Sequence, residues 1–447
     1  MQGSPTYPAR KKEGWERLLD AVLVLLAIAL PLATRLVPLL IALVVVAAVG
    51  VRLRHGAGEW RRMTWKGPLS WMACFYLLHV AGMAWSSNIS FGLFDLEVKA
   101  GFLVFPLLLW ILPSTVQPDV PRIAGAFVRA NVGAVVLCLI AALWRFASEW
   151  YLRHHGTLPE DPAWTNHFFE SRFSFLLHPS YMAMYLCAAL SFVLLRKGAP
   201  PEGAIRSWLV PSLLVLGVIL CNSKMGWITL VAVFFVAGIG VWQDSQRRVR
   251  ILLVALGGVV LFVILFMAFP TVSGKFFQAL DATGTIDPSS DQSSALRRMA
   301  WDSALELFRQ DPIRGVGTGD IKDELVALYE RRGFIHAAAK RMNAHSQFLQ
   351  TMAALGLPGL AGLLGMVLVP LVLAMVRHQR ICMAFWLIIL LSWSVESMAE
   401  VQAGVAFVCL VAWLLEIHAM PGNGASFSGE QPIPSPTHDP LQSPPHR

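Results

Sequence analysis

The side chains best suited to chemistry gather around one histidine. His345 stands in "KRMNAHSQFLQTMAALGLPG", Lys340 to Gly359, where a basic polar run gives way to a long apolar one. The ordinary pKa of histidine suits base work near neutral pH, so His345 reads either as a base or as a polar residue at a helix start. From Arg331 to His345 the chain carries Arg331, Arg332, Lys340 and Arg341 and no acid, an approach that should attract anions. Arg297 and Arg298 lie in "ALRRMAWDSALELFRQ". Each is either a solvated helix residue or a guanidinium fork for a phosphate. Arg297 shares a helix face with Trp301, four residues on. Lys224, in "CNSKMGW", is a further anion contact at the end of an apolar segment, and His178, in "LLHPSY", is either a helix-start residue or a site contact. On one continuous helix His345, Gly356 and Gly359 would share a face. Two glycines there would let a neighbouring helix or a lipid chain approach the backbone.

The elements that must position these groups are apolar. The chain has 447 residues, 56% hydrophobic and 14% charged, with mean hydropathy +0.58; soluble proteins carry about 25% charged residues. Stretches long enough to span a bilayer as helices lie near 17–34, 36–51, 69–86, 92–112, 123–148, 178–195, 207–222, 225–242, 250–270, 346–376, 381–397 and 401–418. The first two form a tight hairpin around Pro38. The expected fold is an all-α polytopic membrane protein of about 12 transmembrane helices. Basic residues mark alternate loops: Arg52, Arg54, Arg61, Arg62 and Lys66, then Arg196, Lys197 and Arg206, then Arg247, Arg248, Arg250, Arg377 and Arg380. The opposite short loops hold little beyond Arg35, Arg153, Arg172 and Lys224. By the positive-inside rule both termini are cytoplasmic and loops 149–177 and 271–345 are outside. The chain then divides into an N-terminus 1–16, helices 1–9 within 17–270, a large outer loop 271–345, helices 10–12 within 346–418, and a Pro/Ser-rich tail 419–447 expected to be disordered. The first apolar segment runs into the second without an A-x-A site and is read as retained.

The large loop is the hydrophilic segment able to build a site. Its charges balance overall. Apolar Leu296, Met299, Ala300, Ala304, Leu307 and Phe308 recur at helical spacing, as do Ile321, Leu325, Leu328 and Tyr329, with "DPIRGVGTGD" between. These are two amphipathic helices on or near the membrane. Charges inside or at the edge of apolar segments (Asp95, Glu97, Lys99, Arg129, Arg145, Lys224, Glu396, Glu400) are costly in lipid and are paired or functional. Asp95 and Lys99, four apart, can neutralise each other. The "DLE" at 95–97 resembles an acidic metal pair only weakly, because side chains two apart on a helix diverge. The six cysteines lie in apolar segments without C-x-x-C and are read as packing residues. P-loop, zincin and G-x-S-x-G motifs are absent. Nothing implies a cofactor, a metal or a nucleic-acid partner.

"HSQFLQTMAALGLPG" resembles the H-[NSQ]-x9-G-x2-[GTY] pattern of the O-antigen ligase family, with His345, Ser346, Gly356 and Gly359 at the matching positions. "RRMAWDSALELFRQDPIRGVGTGD" is similar to that family's Arg-containing outer helix and glycine turn, where the Arg four residues before a Trp corresponds to Arg297. "NSKMGW" resembles its short Ser-Arg or Ser-Lys motif, with Lys224 in place of the commoner Arg, and "RFSFLLHPSYMAMYL" resembles the end of its first outer loop. The resemblance implies a GT-C-like glycosyltransferase of the bacterial inner membrane with a periplasmic active site. It would move an O-antigen glycan from undecaprenyl diphosphate to a lipid A–core sugar hydroxyl, without metal and with inversion. His345 would be the base. Arg297, Arg298, Lys224 and Arg172 would clamp the diphosphate, which as an ionised leaving group needs cations more than an acid. An O-antigen polymerase using the same donor is the nearest rival, and protein O-oligosaccharyltransferases share the motif. An anion secondary transporter is the rival from another class, although transporters place their sites near the midplane and often contain repeats.

Overall fold

The computed structural model describes residues 12–56, 61, 67–156, 166–196, 204–239, 245–268 and 288–420. Residues 1–11, Arg62, Lys66, Lys197, the start of the large loop at 271–287 and the tail from 421 lie outside them. Every regular element among the described residues is a helix. Lipid offers no water to backbone N–H and C=O groups, so each apolar segment pairs them internally.

Helices α1 (Gly14–Leu32) and α2 (Val37–His55) form the expected hairpin. There follow α3 (Pro68–Gly82), α4 (Ile89–Lys99), α5 (Gly101–Ile111) and the long α6 (Val120–His154). A single turn, α7 (Glu170–Phe173), precedes α8 (Pro179–Leu195), α9 (Ala204–Leu220), α10 (Lys224–Ile239) and α11 (Ser245–Ala268). Then come α12 (Ser293–Gln310), α13 (Ile321–Arg331) and the short α14 (Ile335–Ala339). The chain closes with α15 (Gln347–Val376), α16 (Arg380–Val395) and α17 (Gln402–Ala419). By length and composition four helices among the described residues can cross a membrane: Thr34–His55, α6, α15 and α17. Shorter apolar helices include α5, α8, α10 and α16, and the whole is a multi-pass membrane protein.

The core is built by α15 against α3 and α16, by α8 against α9, α10 and α16, and by α1 against α2 and α6. At its centre the Tyr185 and Phe407 rings lie 4.5 Å apart. Leu252, Leu256, Val259 and Val263 of α11 stay exposed, as a lipid-facing stripe must. The segment near 92–112, expected as one span, is two helices. Its ladder tightens where Ala100 N–H donates to Glu97 O and restarts where Val104 N–H donates to Ala100 O.

Above one end of the bundle, α12 and α13 bury the apolar faces read from the sequence, except that Phe308 is only half-buried. They share a second core with Phe334, Met342, Ala344 and residues 353–355 of α15, and so form a roof. Its turn at 312–320 is pinned on two sides. Val316 and Gly317 N–H donate to Ala353 O and Ala354 O at 3.0 and 2.9 Å, and Leu357 N–H donates to Pro312 O at 2.8 Å. On the other side Thr318 Oγ1 donates to His79 O at 2.7 Å, and the Ser87 and Asn88 N–H groups donate to the Asp320 carboxylate.

This docking corrects the expectation of one face shared by His345, Gly356 and Gly359. His345 precedes α15 with φ 46°, and Gly356 interrupts the helix at φ 63°, ψ −155°. A Cβ at Gly356 would lie 2.4 Å from Ile313 O, whereas one at Gly359 would meet its own helix, 2.4 Å from Leu355 Cβ. At Gly356 the close approach belongs to the roof turn, not to a helix or a lipid chain.

Candidate functional site

Under the roof, the N-termini of α8, α10 and α12 converge on a cavity of about 570 Å³, with Ser180, Ser223 and Ser293 in its wall. Two of these starts, those of α8 and α10, are capped by a local side chain. His178 Nδ1 accepts from Ser180 N–H at 3.4 Å and Pro179 opens the helix. Ser223 Oγ accepts from Gly226 N–H at 3.3 Å. The first N–H groups of a helix have no partner within it, and the macrodipole leaves that end partly positive. Three such ends facing one space make it suited to an anion. Lys224, Arg297 and Arg298 stand in the same wall, with Glu170 and Glu396 as the opposing carboxylates.

Glu396 follows the last residue of α16 and joins the reactive groups. Its Oε2 accepts from His345 Nδ1 at 3.1 Å. Its Oε1 accepts from Arg297 Nη2, with Ser180 Oγ at 3.4 Å. A carboxylate only accepts, so the Nδ1 proton belongs to His345, and in the neutral ring Nε2 keeps its lone pair. The Glu396 side chain is 9% exposed and that of His345 27%. His345 is fixed through its backbone as well: its N–H donates to Asn343 Oδ1 at 3.1 Å, and its carbonyl accepts from Trp301 Nε1 at 3.2 Å. The α12 face carrying Arg297 and Trp301 therefore grips Glu396 with one residue and the His345 backbone with the other. Arg297 Nη1 also donates to Ser293 Oγ at 2.5 Å. Its buried Nε has no partner among the described residues.

Backbone strain concentrates here. Glu170 (φ 62°), Asn222 (φ 49°) and His345 are three of the five non-glycine residues with left-handed φ among the described residues. Such conformations persist where the surroundings over-determine them. Asn222 Nδ2 ties two of them together by donating to Glu170 Oε1 at 3.2 Å.

Of the residues read from the sequence, His178, Lys224, Arg297 and Arg298 meet at the cavity. His345 reaches it through Glu396 rather than by lining it. Ser346 caps α15 by accepting from Leu349 N–H, and its own N–H donates to Ser397 Oγ at 3.1 Å. Arg172 is exposed and absent from the wall, and its carbonyl accepts from Arg145 Nη2 at 2.5 Å. Arg341 is exposed and bonds Asp323 at 2.8 Å. The Asn88 amide, followed by Arg341, holds that carboxyl below the usual carboxylate range. Arg332 pairs with Asp302 and Glu306. The basic approach to His345 is thus partly neutralised by acids from α12 and α13, elements that a run of sequence cannot show to be adjacent. Glu396 is the residue that sequence reasoning did not join to the site. Its signal was an acid at the edge of an apolar segment, 51 residues from His345. No cluster of His, Cys, Asp and Glu suited to a metal occurs among the described residues.

No curated protein matches the chain. Residues 209–364 match the family model described as O-antigen ligase. That span is about a third of the chain and holds Lys224, Arg297, Arg298, His345, Gly356 and Gly359, so the similarity to the O-antigen ligase family falls on most of the residues that build this site.

Proposed function

We propose that this protein transfers an O-antigen glycan from undecaprenyl diphosphate to a sugar hydroxyl of the lipid A–core, on the periplasmic face of the inner membrane. The observation that carries the reading is the single carboxylate, Glu396, held by both His345 and Arg297 beside a cation-lined cavity. The diphosphate occupies the cavity, against Lys224, Arg298, the remaining donors of Arg297 and the three helix N-termini. Charge developing on the leaving oxygen is met by groups already in place. The acceptor hydroxyl gives its proton to His345 Nε2 while its oxygen bonds the anomeric carbon. The bond from that carbon to the diphosphate oxygen breaks, and the electron pair leaves with the diphosphate. Glu396 orients the ring and stabilises the imidazolium, the role a carboxylate plays in other oriented-histidine sites. Attack from the face opposite the leaving group inverts the anomeric centre. Since His345 lies outside the cavity wall, donor and acceptor meet across the Arg297–Glu396 pair. The cations supply the charge compensation that a metal gives elsewhere, and the reaction is metal-independent. The architecture is GT-C-like, with about twelve spans and both termini cytoplasmic.

The test is transfer by purified protein in vesicles holding the carrier-linked glycan and lipid A–core. Core-linked glycan is the expected product, and His345→Ala should slow its formation by about 10²–10⁴-fold, the usual contribution of a general base. Wild-type rates from His345→Ala would remove the base assignment. Growth of carrier-linked glycan instead of core-linked product would make the protein a polymerase.

A further inference from the structure

Beneath the site lies a second set of buried polar side chains that the chemistry does not use. Lys99, at the end of α4, is fully buried, and its Nζ donates to Asp95 Oδ1 and, at 2.9 Å, to Glu400 Oε2. Gln347, also fully buried, donates from Nε2 to Glu400 Oε1 at 2.9 Å and accepts at Oε1 from Ala399 N–H at 2.8 Å. Gln347 lies two residues after His345, and Glu400 four after Glu396. The short segments 345–347 and 396–400 therefore run together as a ladder. His345 bonds Glu396, Ser346 bonds Ser397, and Gln347 bonds both Ala399 and Glu400. Lys99 and Asp95 hold the lower end of that ladder to α4.

We propose that Gln347, anchored by the Lys99–Asp95–Glu400 cluster, is a positioning residue that sets the His345–Glu396 contact. The proposal rests on the glycosyl-transfer reading of that contact. Neither segment is helical at these contacts, apart from the first turn of α15 and the single turn Met398–Glu400. No helical ladder fixes His345 and Glu396 relative to each other. Side-chain bonds do so instead. In a low-dielectric interior such bonds are strong when complete and costly when broken, which suits them to hold two reactive groups within a fraction of an ångström.

Lys99→Met leaves two carboxylates buried together and risks the fold, so Gln347→Met is the working variant, because it removes both rungs and keeps the ion pair. In the transfer assay it should lower kcat about tenfold and leave the donor KM within about twofold, as expected for an interaction felt mainly in the transition state. Combined with Glu396→Gln, the same change should cost less than about twofold, because residues acting through one contact are not additive. A full tenfold loss in both backgrounds would overturn the proposal, as would a rise in KM with kcat unchanged. Amide exchange separates this result from the wider reading. Gln347→Met should speed exchange of the Ser346 N–H, whose own acceptor it does not touch, by about tenfold or more, as local opening becomes easier. If the wild-type protein transfers no glycan, the functional reading has failed and the exchange result alone decides the coupling. Unchanged Ser346 exchange overturns the coupling whatever the activity.

Discussion

Glu396 divides its oxygens between His345 and Arg297, so one substitution there should disturb proton transfer and diphosphate binding together. Glu396→Gln is expected to lower kcat by about 10²-fold and to raise the donor KM, since it removes the charge and turns one of the two accepting oxygens into an NH2 that only donates. Arg298→Ala removes a cavity cation without touching Glu396. It should raise the donor KM by about tenfold, the loss of one charge-assisted contact, with kcat nearly kept. Steady-state kinetics on carrier-linked donor check both, and equal patterns for the two variants would contradict the division of roles. The sequence already offers these residue types: a histidine at a polar–apolar seam, an arginine pair on an amphipathic helix, a lysine at a helix start. The carboxylate that joins them was hidden because it lies on another helix end and, in one dimension, looks like any acid at the border of a span.

Helical periodicity shows α12 and α13 with their buried faces almost residue by residue, because one apolar stripe has to find a core. It cannot show the break in α15. The apolar pattern continues unbroken through Gly356, where the backbone turns to φ 63° with Pro312 and Ile313 packed against it. Gly356→Ala should accordingly cost about 3 kcal/mol or more, combining a backbone region closed to other residues with a carbonyl overlap. Gly333→Ala is the matched control. It has φ 69° but nothing within 4 Å of an added Cβ, so strain alone should cost about 1–2 kcal/mol. Thermal unfolding in detergent compares the two. The division at Ala100 was equally invisible, since apolar residues flank the charged turn on both sides.

At the scale of the whole chain, composition and basic-residue bias describe a polytopic membrane protein, and helices cover the apolar segments, but only some are long enough to span alone. The proposed orientation has a direct check in a cysteine-free background. Lys340→Cys, on the roof, should react with a membrane-impermeant maleimide in intact spheroplasts, and Arg377→Cys, at the opposite end of α15, only after permeabilisation. The reverse pattern would invert the topology. Chelation offers a second whole-protein measurement: EDTA should leave transfer at its original rate, and a loss restored by a divalent ion would end the metal-independent reading.

The turn at 312–320 has the composition of a loose connector, rich in glycine and carrying an exposed arginine, Arg314. Its backbone is nevertheless bonded to α15 on one side, and the Thr318 hydroxyl ties it to the end of α3 on the other. A protease must lift its target into an extended strand before it can cut, and here that would break several backbone hydrogen bonds at once. Trypsin should therefore leave the Arg314–Gly315 bond whole in the native protein and cleave it once the protein is denatured.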